Sequence, residues 1–366
     1  MKYLNNIINN HKAKKILLVG SPRTYPSEIK FTDPSYLDTE SICSNFRQPS
    51  LHGKFDVVFI CDPQIFKPVH WENILDEIIR FTKNCATLII HAGSIHNASV
   101  WGIKSFISDK LNLNSKLISQ DIISINESFF EIEIKRERFI SKNWCIGIPT
   151  NGKKNVSILA LLNSIQIAQN FLLQKAKVEI DIEIIIVGKK DKLFDGYDIR
   201  LFEQSLDENL PALGEKKYII GNNATYENIL FIHDRYTLDK SFFLGFEKWG
   251  YDFEYATTQQ YDTKHNIYDP ILAIDNFNRA NIQMRRINNQ SYPYNMLYVN
   301  GGLTIVKKSI IRKINFNPFL MHCEAEDIDF ARRLNVSGII PRFNPYSVAF
   351  TSTDIDQSNL ATLPKL

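Results

Sequence analysis

Ile229, Leu230, Phe231 and Ile232 run without a break into His233, Asp234 and Arg235. A short, wholly apolar run reads as a strand buried on both faces. A chain with such a strand must supply covering layers above and below it. The charges fall where the strand leaves the sheet, and in open α/β sheets that carboxyl edge is where ligands bind. Comparable runs recur at residues 14–20 (KKILLVG), 55–62 (FDVVFICD), 85–93 (CATLIIHAG), 143–152 (NWCIGIPTNG) and 178–191 (VEIDIEIIIVGKKD). Helical stretches lie between them. Residues 71–84 put Ile74, Leu75, Ile78, Ile79 and Phe81 on one face. Residues 155–176 put Ile158, Leu161, Leu162, Ile165, Ala168 and Leu172 on one stripe. This alternation predicts an α/β class. KKYIIGNN (216–223) reads as a further strand, so the second half is expected to form a parallel, doubly wound sheet. No internal repeat or low-complexity tract stands out.

Length and composition bound the rest. With 366 residues, two domains are expected rather than one. Their expected limits are 1–140 and 141–366, each a Rossmann-like α/β unit. The 43 basic and 40 acidic residues nearly balance, so no nucleic-acid groove is implied. A local basic patch for phosphates or an anionic membrane surface is still compatible with that balance. The five cysteines, Cys43, Cys61, Cys85, Cys145 and Cys323, are scattered, and no two are spaced as a zinc pair. They point to a reducing cytoplasm rather than a disulfide framework. The first fifteen residues are too polar for a signal peptide. No apolar run approaches the ~20 residues that cross a bilayer.

In the first domain, residues 116–139 alternate like an antiparallel hairpin turning at Asn126, Glu127 and Ser128. Three strands with crossovers and a closing hairpin, carried by FDVVFICD, ILDEIIRFTKN and CATLIIHAG, resemble the end of a class I methyltransferase-like Rossmann domain. That family needs a glycine-rich turn after its first strand. The chain has VGSPRTYP there, with one glycine and two prolines. The domain therefore reads as a degenerate scaffold or docking module. Residual binding of S-adenosylmethionine is the other reading.

In the second domain, CIGIPTNG, IEIIIVGKKD, ILFIHDRY and YVNGGLTIVKKSIIRKINFNPFLMHCEAEDIDFARRL come in the order found in glycosyltransferases of the GT-A fold. The resemblance is to the large inverting family 2 and its neighbours, over residues 143–342. It implies a nucleoside-diphosphate sugar as donor, a UDP-sugar in particular, and Mn²⁺ or Mg²⁺ as cofactor. It also implies a saccharide or lipid-linked acceptor.

Each stretch has a reading of its own beside the resemblance. Pro149, Thr150, Asn151 and Gly152 make a polar turn that can wrap a nucleobase and ribose, or an ordinary strand-to-helix turn. Gly188, Lys189 and Asp191 end the second strand, where the family carries an Asp for the uracil or ribose. Here Gly188 takes the first position and Asp191 follows three residues on. Asp234 stands at the family's Asp-x-Asp signature as metal ligand, or else in a surface salt bridge. His233 is a candidate for the ribose or for Mn²⁺. Arg235, in place of the last Asp, can pair with diphosphate oxygens. Gly301 and Gly302 let backbone approach a bound sugar, or simply form a turn. Glu326 and Asp327 open a helix where the dipole favours carboxylates. The resemblance makes Asp327 the base that takes the acceptor proton and Glu326 the residue that binds or orients the acceptor. His322 is a further metal-ligand candidate or a structural histidine. Residues 257–270 (TTQQYDTKHNIYDP) are placed as an acceptor loop or as plain surface.

The expected activity is transfer of a sugar, with inversion, in surface-polysaccharide assembly. The expected place is the cytoplasm, in contact with the inner leaflet where the acceptor is lipid-linked. The rivals are a bifunctional methyltransferase–glycosyltransferase and a GT-A-like glycan- or partner-binding protein without catalysis.

Overall fold

The computed structural model describes residues 14–21, 34–44, 47–93, 97–189, 191–204, 212–277, 282–286 and 296–363. The proline-rich turn expected to replace the methyltransferase glycine loop falls largely outside them. The chain divides into two compact units, Met1–Arg138 and Phe139–Leu366.

The first unit holds β1 (Ile16–Val19), β2 (Ser35–Leu37), α1 (Thr39–Ser44), β3 (Phe55–Ile60), α2 (Trp71–Phe81), β4 (Thr82–Gly93), α3 (Val100–Asp109), β5 (Leu113–Ser124) and β6 (Glu127–Arg136). Its sheet runs β2-β1-β3-β4-β6-β5. The first four strands are parallel, and β6 pairs antiparallel with both β4 and β5. Ile16, Leu18, Val57, Phe59, Cys61 and Ile89 form one face of the core. Helix α2 is buried on its polar side as well. There Asp76 meets Arg80 at 2.8 Å and Lys110 at 2.6 Å, while Glu77 meets Arg47 at 3.1 Å and His52 at 2.6 Å. The hairpin turn sits at Ile125 and Asn126, earlier than expected. Glu127 is drawn into β6 opposite Gly93 and lies 2.7 Å from His91 Nε2.

The second unit is a mixed sheet rather than the expected parallel one. Its elements are β7 (Trp144–Pro149), α4 (Asn155–Ala176), β8 (Ile182–Gly188), β9 (Arg200–Glu203), α5 (Leu213–Asn223), β10 (Asn228–Ile232), β11 (Tyr236–Leu238), α6 (Phe242–Trp249), β12 (Tyr255–Tyr261), β13 (Ile271–Phe277), β14 (Ile282–Arg286), β15 (Leu297–Val299), β16 (Leu303–Lys307), α7 (Lys308–Ile311), α8 (Glu326–Val336) and β17 (Arg342–Thr351). The large sheet runs β11-β17-β12-β16-β10-β7-β8-β9. Strands β9, β8, β7 and β10 are parallel, and β16 runs antiparallel between β10 and β12. A small antiparallel sheet, β14-β13-β15, stands apart. The core centres on Trp144, whose ring meets Phe242, Phe243 and Phe246 at 6.2, 5.6 and 4.8 Å between centroids.

KKYIIGNN, expected as a strand, lies in helix α5. The reason is topological. β10 is parallel to β7, and parallel strands need a crossover, usually helical, where a short turn would give a hairpin. The buried residues of α5, Gly214, Lys216, Lys217, Ile220 and Gly221, recur at the three- and four-residue steps of a helix. Ile220 fills the space above Gly147, where a Cβ would come within 2.2 Å of its Cγ2. The missing parallel strand is β9, short and partly exposed at the sheet edge. The expected acceptor loop is strand β12 as far as Tyr261; only its second half is a loop. Helix α4 is long and apolar enough to cross a membrane by length and composition alone. Its stripe Ile158, Leu161, Leu162, Ile165, Ala168 and Leu172 is buried in the core of the unit.

Candidate active site

The carboxyl ends of β7 and β10 lie side by side because the strands pair in register, Phe231 opposite Gly147. The turn after β7 therefore meets the charges after β10. Thr150, 3% exposed, is the joint. Its Oγ1 donates to Asp234 Oδ2 at 3.1 Å and accepts from Gly152 N at 3.1 Å. Its carbonyl accepts from Lys216 Nζ at 2.5 Å. Gly152 turns the chain with φ +76°, a backbone region that favours glycine. Gly188, at the end of β8, allows this turn to pack closely: a Cβ there would lie 2.5 Å from the Thr150 carbonyl oxygen.

Pro149, Thr150, Asn151, Lys154, Leu213, Lys216, His233, Asp234, Arg235 and His322 line a cleft of about 210 Å³. Among the described residues Asp234 is its one carboxylate, against Lys154, Lys216 and Arg235. Burial pushes the Asp234 carboxyl up from its usual range, against the opposing pull of the Thr150 hydrogen bond and the three cations. Burial also lowers Lys216. His233 is held well below its ordinary pKa by burial and by Lys217, Arg235, His322 and Lys154, so it is neutral. Among the described residues, His233 Nε2 and Arg235 Nε are buried without a hydrogen-bond partner. Buried polar atoms are normally satisfied, and both of these belong to residues that line the cleft.

Asp191, Gly188 and Lys189 do not line this cleft. Asp191 accepts from Leu193 N at 3.0 Å and from Asn155 Nδ2, and these bonds hold its carboxyl below the usual range.

A second cavity of about 430 Å³ adjoins the first and shares Leu213, His233, Arg235 and His322 with it. Gly301, Gly302, Asn300, Glu326 and Asp327 form one wall, with Tyr268, Tyr298, Leu272, Met284, Leu360 and Leu363 among the rest. The turn between β15 and β16 is fixed to both walls. His233 N donates to Gly302 O at 3.0 Å, and Gly301 N donates to Asp327 Oδ2 at 3.0 Å. Both glycines are required by the protein itself. A Cβ on Gly301 would lie 2.9 Å from Asp327 Oδ2, and one on Gly302 would lie 2.7 Å from the Tyr236 hydroxyl.

Asp327 is raised to about 6, chiefly by burial and then by the neighbouring Glu326 charge; Lys217 and the Gly301 and Ile328 amides oppose the rise. The helix start alone would lower it, so burial decides the sign. Just before the helix, Cys323 and Ala325 take φ of +69° and +56°, an unfavourable conformation for residues with side chains.

Asp234, His322, Thr150, His233, Arg235, Gly301, Gly302, Glu326 and Asp327 thus gather around two joined cavities. Lys154, Lys216 and Leu213 also line them and were not singled out in the sequence. Among the described residues no three His, Cys, Asp or Glu side chains form a metal cage. Asp234, with His322 lining the same cleft, fits a site in which phosphate oxygens complete the shell of a hard divalent cation.

No family model and no curated protein matches the sequence. Among solved structures, the chain is similar to S. aureus TarS 1–349 in complex with UDP-GlcNAc, at 12% identity and a TM-score of 0.38, over 60% of this chain and 61% of that one. It is also similar to GalNAc-T7 with UDP, GalNAc and Mn²⁺, at 10% identity and a TM-score of 0.42, over 59% and 44%. The chain spans less than two thirds of the length of each.

Proposed function

We propose that the second unit is a nucleotide-sugar-dependent glycosyltransferase of GT-A type. One observation carries this reading. Asp234 among three cations and Asp327 on a strained helix start line adjoining cavities that share His233 and Arg235. The smaller cleft suits a diphosphate: Lys154, Lys216 and Arg235 bring positive charge, and among the described residues the buried Arg235 Nε has no hydrogen-bond partner. The order of the sequence motifs supports a UDP-sugar as donor.

The proposed transfer is a single displacement. An acceptor hydroxyl oxygen attacks the anomeric carbon of the donor sugar. The bond from that carbon to the diphosphate oxygen breaks, and its electron pair leaves on the diphosphate. The hydroxyl proton passes to an Asp327 carboxylate oxygen, and the anomeric centre inverts. Asp327 Oδ2 and Oδ1 accept from Gly301 N and Ile328 N at 3.0 and 2.9 Å, and each keeps a further lone pair for that proton. The cations stand where the leaving diphosphate gathers charge. Asp234, with His322, would hold Mn²⁺ or Mg²⁺, which when bound supplies Lewis-acid stabilisation of the same charge. Tyr268 and Tyr298 in the larger cavity suit a saccharide face, free or lipid-linked. Surface-polysaccharide assembly at the cytoplasmic face of a membrane is the setting this reading carries with it. For the first unit, four parallel strands with β6 inserted between β4 and β5 support the methyltransferase-like reading, as a scaffold or docking module.

Thermal unfolding in the presence of nucleoside diphosphates and nucleotide sugars, with and without Mn²⁺, tests the donor site. A ligand at a hundredfold excess over its Kd adds about 2.7 kcal/mol. A shift with one nucleotide, strengthened by Mn²⁺ and lost in Asp234→Ala, is expected. No shift with any nucleotide would contradict the reading.

A further inference from the structure

Lys217 is a fully buried lysine, 0% exposed, in the middle of helix α5. Buried lysines are rare unless paired, and this one is paired twice. Its Nζ donates to Glu326 Oε1 at 2.9 Å and to Gly301 O at 3.0 Å, and it lies 5.1 Å from the centre of the Phe316 ring. The two acceptors belong to different parts of the site. Glu326, 5% exposed, is the first residue of helix α8. Gly301 belongs to the turn between β15 and β16, and its own N–H holds Asp327 Oδ2. The peptide groups of Gly301 thus take Lys217 on the carbonyl side and Asp327 on the amide side. A ring closes: Lys217 to Gly301, Gly301 to Asp327, Asp327 along the backbone to Glu326, and Glu326 back to Lys217.

We propose that Lys217 is the positioning residue of this site, clamping Glu326 as a buried counter-ion and, through Gly301, fixing where the Asp327 carboxylate points. This deepens the glycosyltransferase reading and rests on it for the turnover readout alone. The division of labour follows from the bonds. One oxygen of Glu326 is engaged by an ammonium in the interior. Among the described residues the Asp327 oxygens accept from two backbone amides, Gly301 and Ile328, an arrangement that orients a carboxylate without a direct ion pair. The clamp also accounts for the strained approach to the helix. Cys323 and Ala325 hold left-handed backbone, and such strain persists only where the surroundings over-determine it. The Lys217–Glu326 pair anchors the residue immediately after Ala325.

Removing Lys217 alone would leave Glu326 as an unpaired buried charge, which by itself destabilises a fold. The test therefore uses Lys217→Met and the double variant Lys217→Met/Glu326→Gln, which removes both charges. Two readouts are taken on the full chain: donor turnover, and hydrogen exchange at the Gly301 amide without substrate. The double variant is expected to fold and to bind nucleotide within about threefold of wild type. Its kcat should fall by about a hundredfold, the scale on which small misplacements of a reacting group act, with little change in donor KM. Exchange at the Gly301 amide should rise at least about tenfold, because its bond to Asp327 is no longer held in place. A double variant with wild-type kcat and unchanged Gly301 protection would overturn the proposal and leave Lys217 a mere filler of the interior. If the wild type turns over no donor, the glycosyltransferase reading fails, and Gly301 exchange still decides the clamp.

Discussion

Asp62 and Asp234 occupy like places in the two units, and the sequence writes them alike. FDVVFICD and NILFIHD each end a buried strand in an acidic residue. Asp62, 5% exposed, is saturated by its own unit: it accepts from Ser21 N at 3.3 Å, Thr39 Oγ1 at 2.9 Å and Gln64 N at 3.0 Å. Among the described residues Asp234 accepts one hydrogen bond, from Thr150, and it faces a cleft with three cations. One strand end is closed by the protein and the other opens on a cleft. A pattern of apolar run plus carboxylate locates a sheet edge. Whether that edge is structural or functional depends on what the next turns bring to it.

The largest expected effect separates the two aspartates by stability. Asp62→Ala strips three part-buried donors of their acceptor and should cost about 3 kcal/mol, at about 1 kcal/mol for each hydrogen bond lost. Chemical denaturation measures it, and nucleotide-induced stabilisation of the second unit should persist. A drop below about 1 kcal/mol would make the saturation of Asp62 unimportant.

An intermediate effect concerns pH. Asp327 is raised to about 6, and the base works ionised, so kcat/KM should rise through pH 6 to a plateau and fall about tenfold per unit below it. Its contribution to stability has the opposite sign. A raised carboxyl pKa means that the folded chain binds the proton more tightly than the unfolded one. That contribution is full below the unfolded value near 4 and is lost as the pH rises through about 6. A pH–rate profile flat from 5 to 8 would remove Asp327 from proton transfer.

The smallest expected effect is the counterpart of the first. Asp234 is raised by burial, so its ionised form is held at a cost to the fold. Asp234→Ala should leave stability without ligand within about 1 kcal/mol of wild type, or raise it, as happens where function and stability oppose each other. A loss comparable to that of Asp62→Ala would erase the distinction between the two strand ends.

How much was legible in the sequence follows the range of the forces involved. Asp234 was legible because four apolar residues running into charges is a local pattern. The stripe of helix α4 was legible for the same reason, since Ile158 to Leu172 repeat at the helical period. Lys216 and Lys217 were hidden, because KKYIIGNN is as apolar as a strand. Only the parallel pairing of β10 with β7, a long-range fact, forces a helix there. Gly188 was legible as a departure from the family's pattern. Its place against the Thr150 carbonyl is a tertiary contact that no spacing announces. The antiparallel insertion of β16 was likewise beyond a local reading, which sees apolar runs but not their direction.

The most direct test of the account compares wild type with Asp327→Asn for release of nucleoside diphosphate from whichever nucleotide sugar binds, with binding measured by calorimetry on the same samples. The account predicts that the variant binds the donor as wild type does and loses turnover by about a hundred- to ten-thousandfold, the range over which a positioned general base acts. A variant that turns over at the wild-type rate would contradict it.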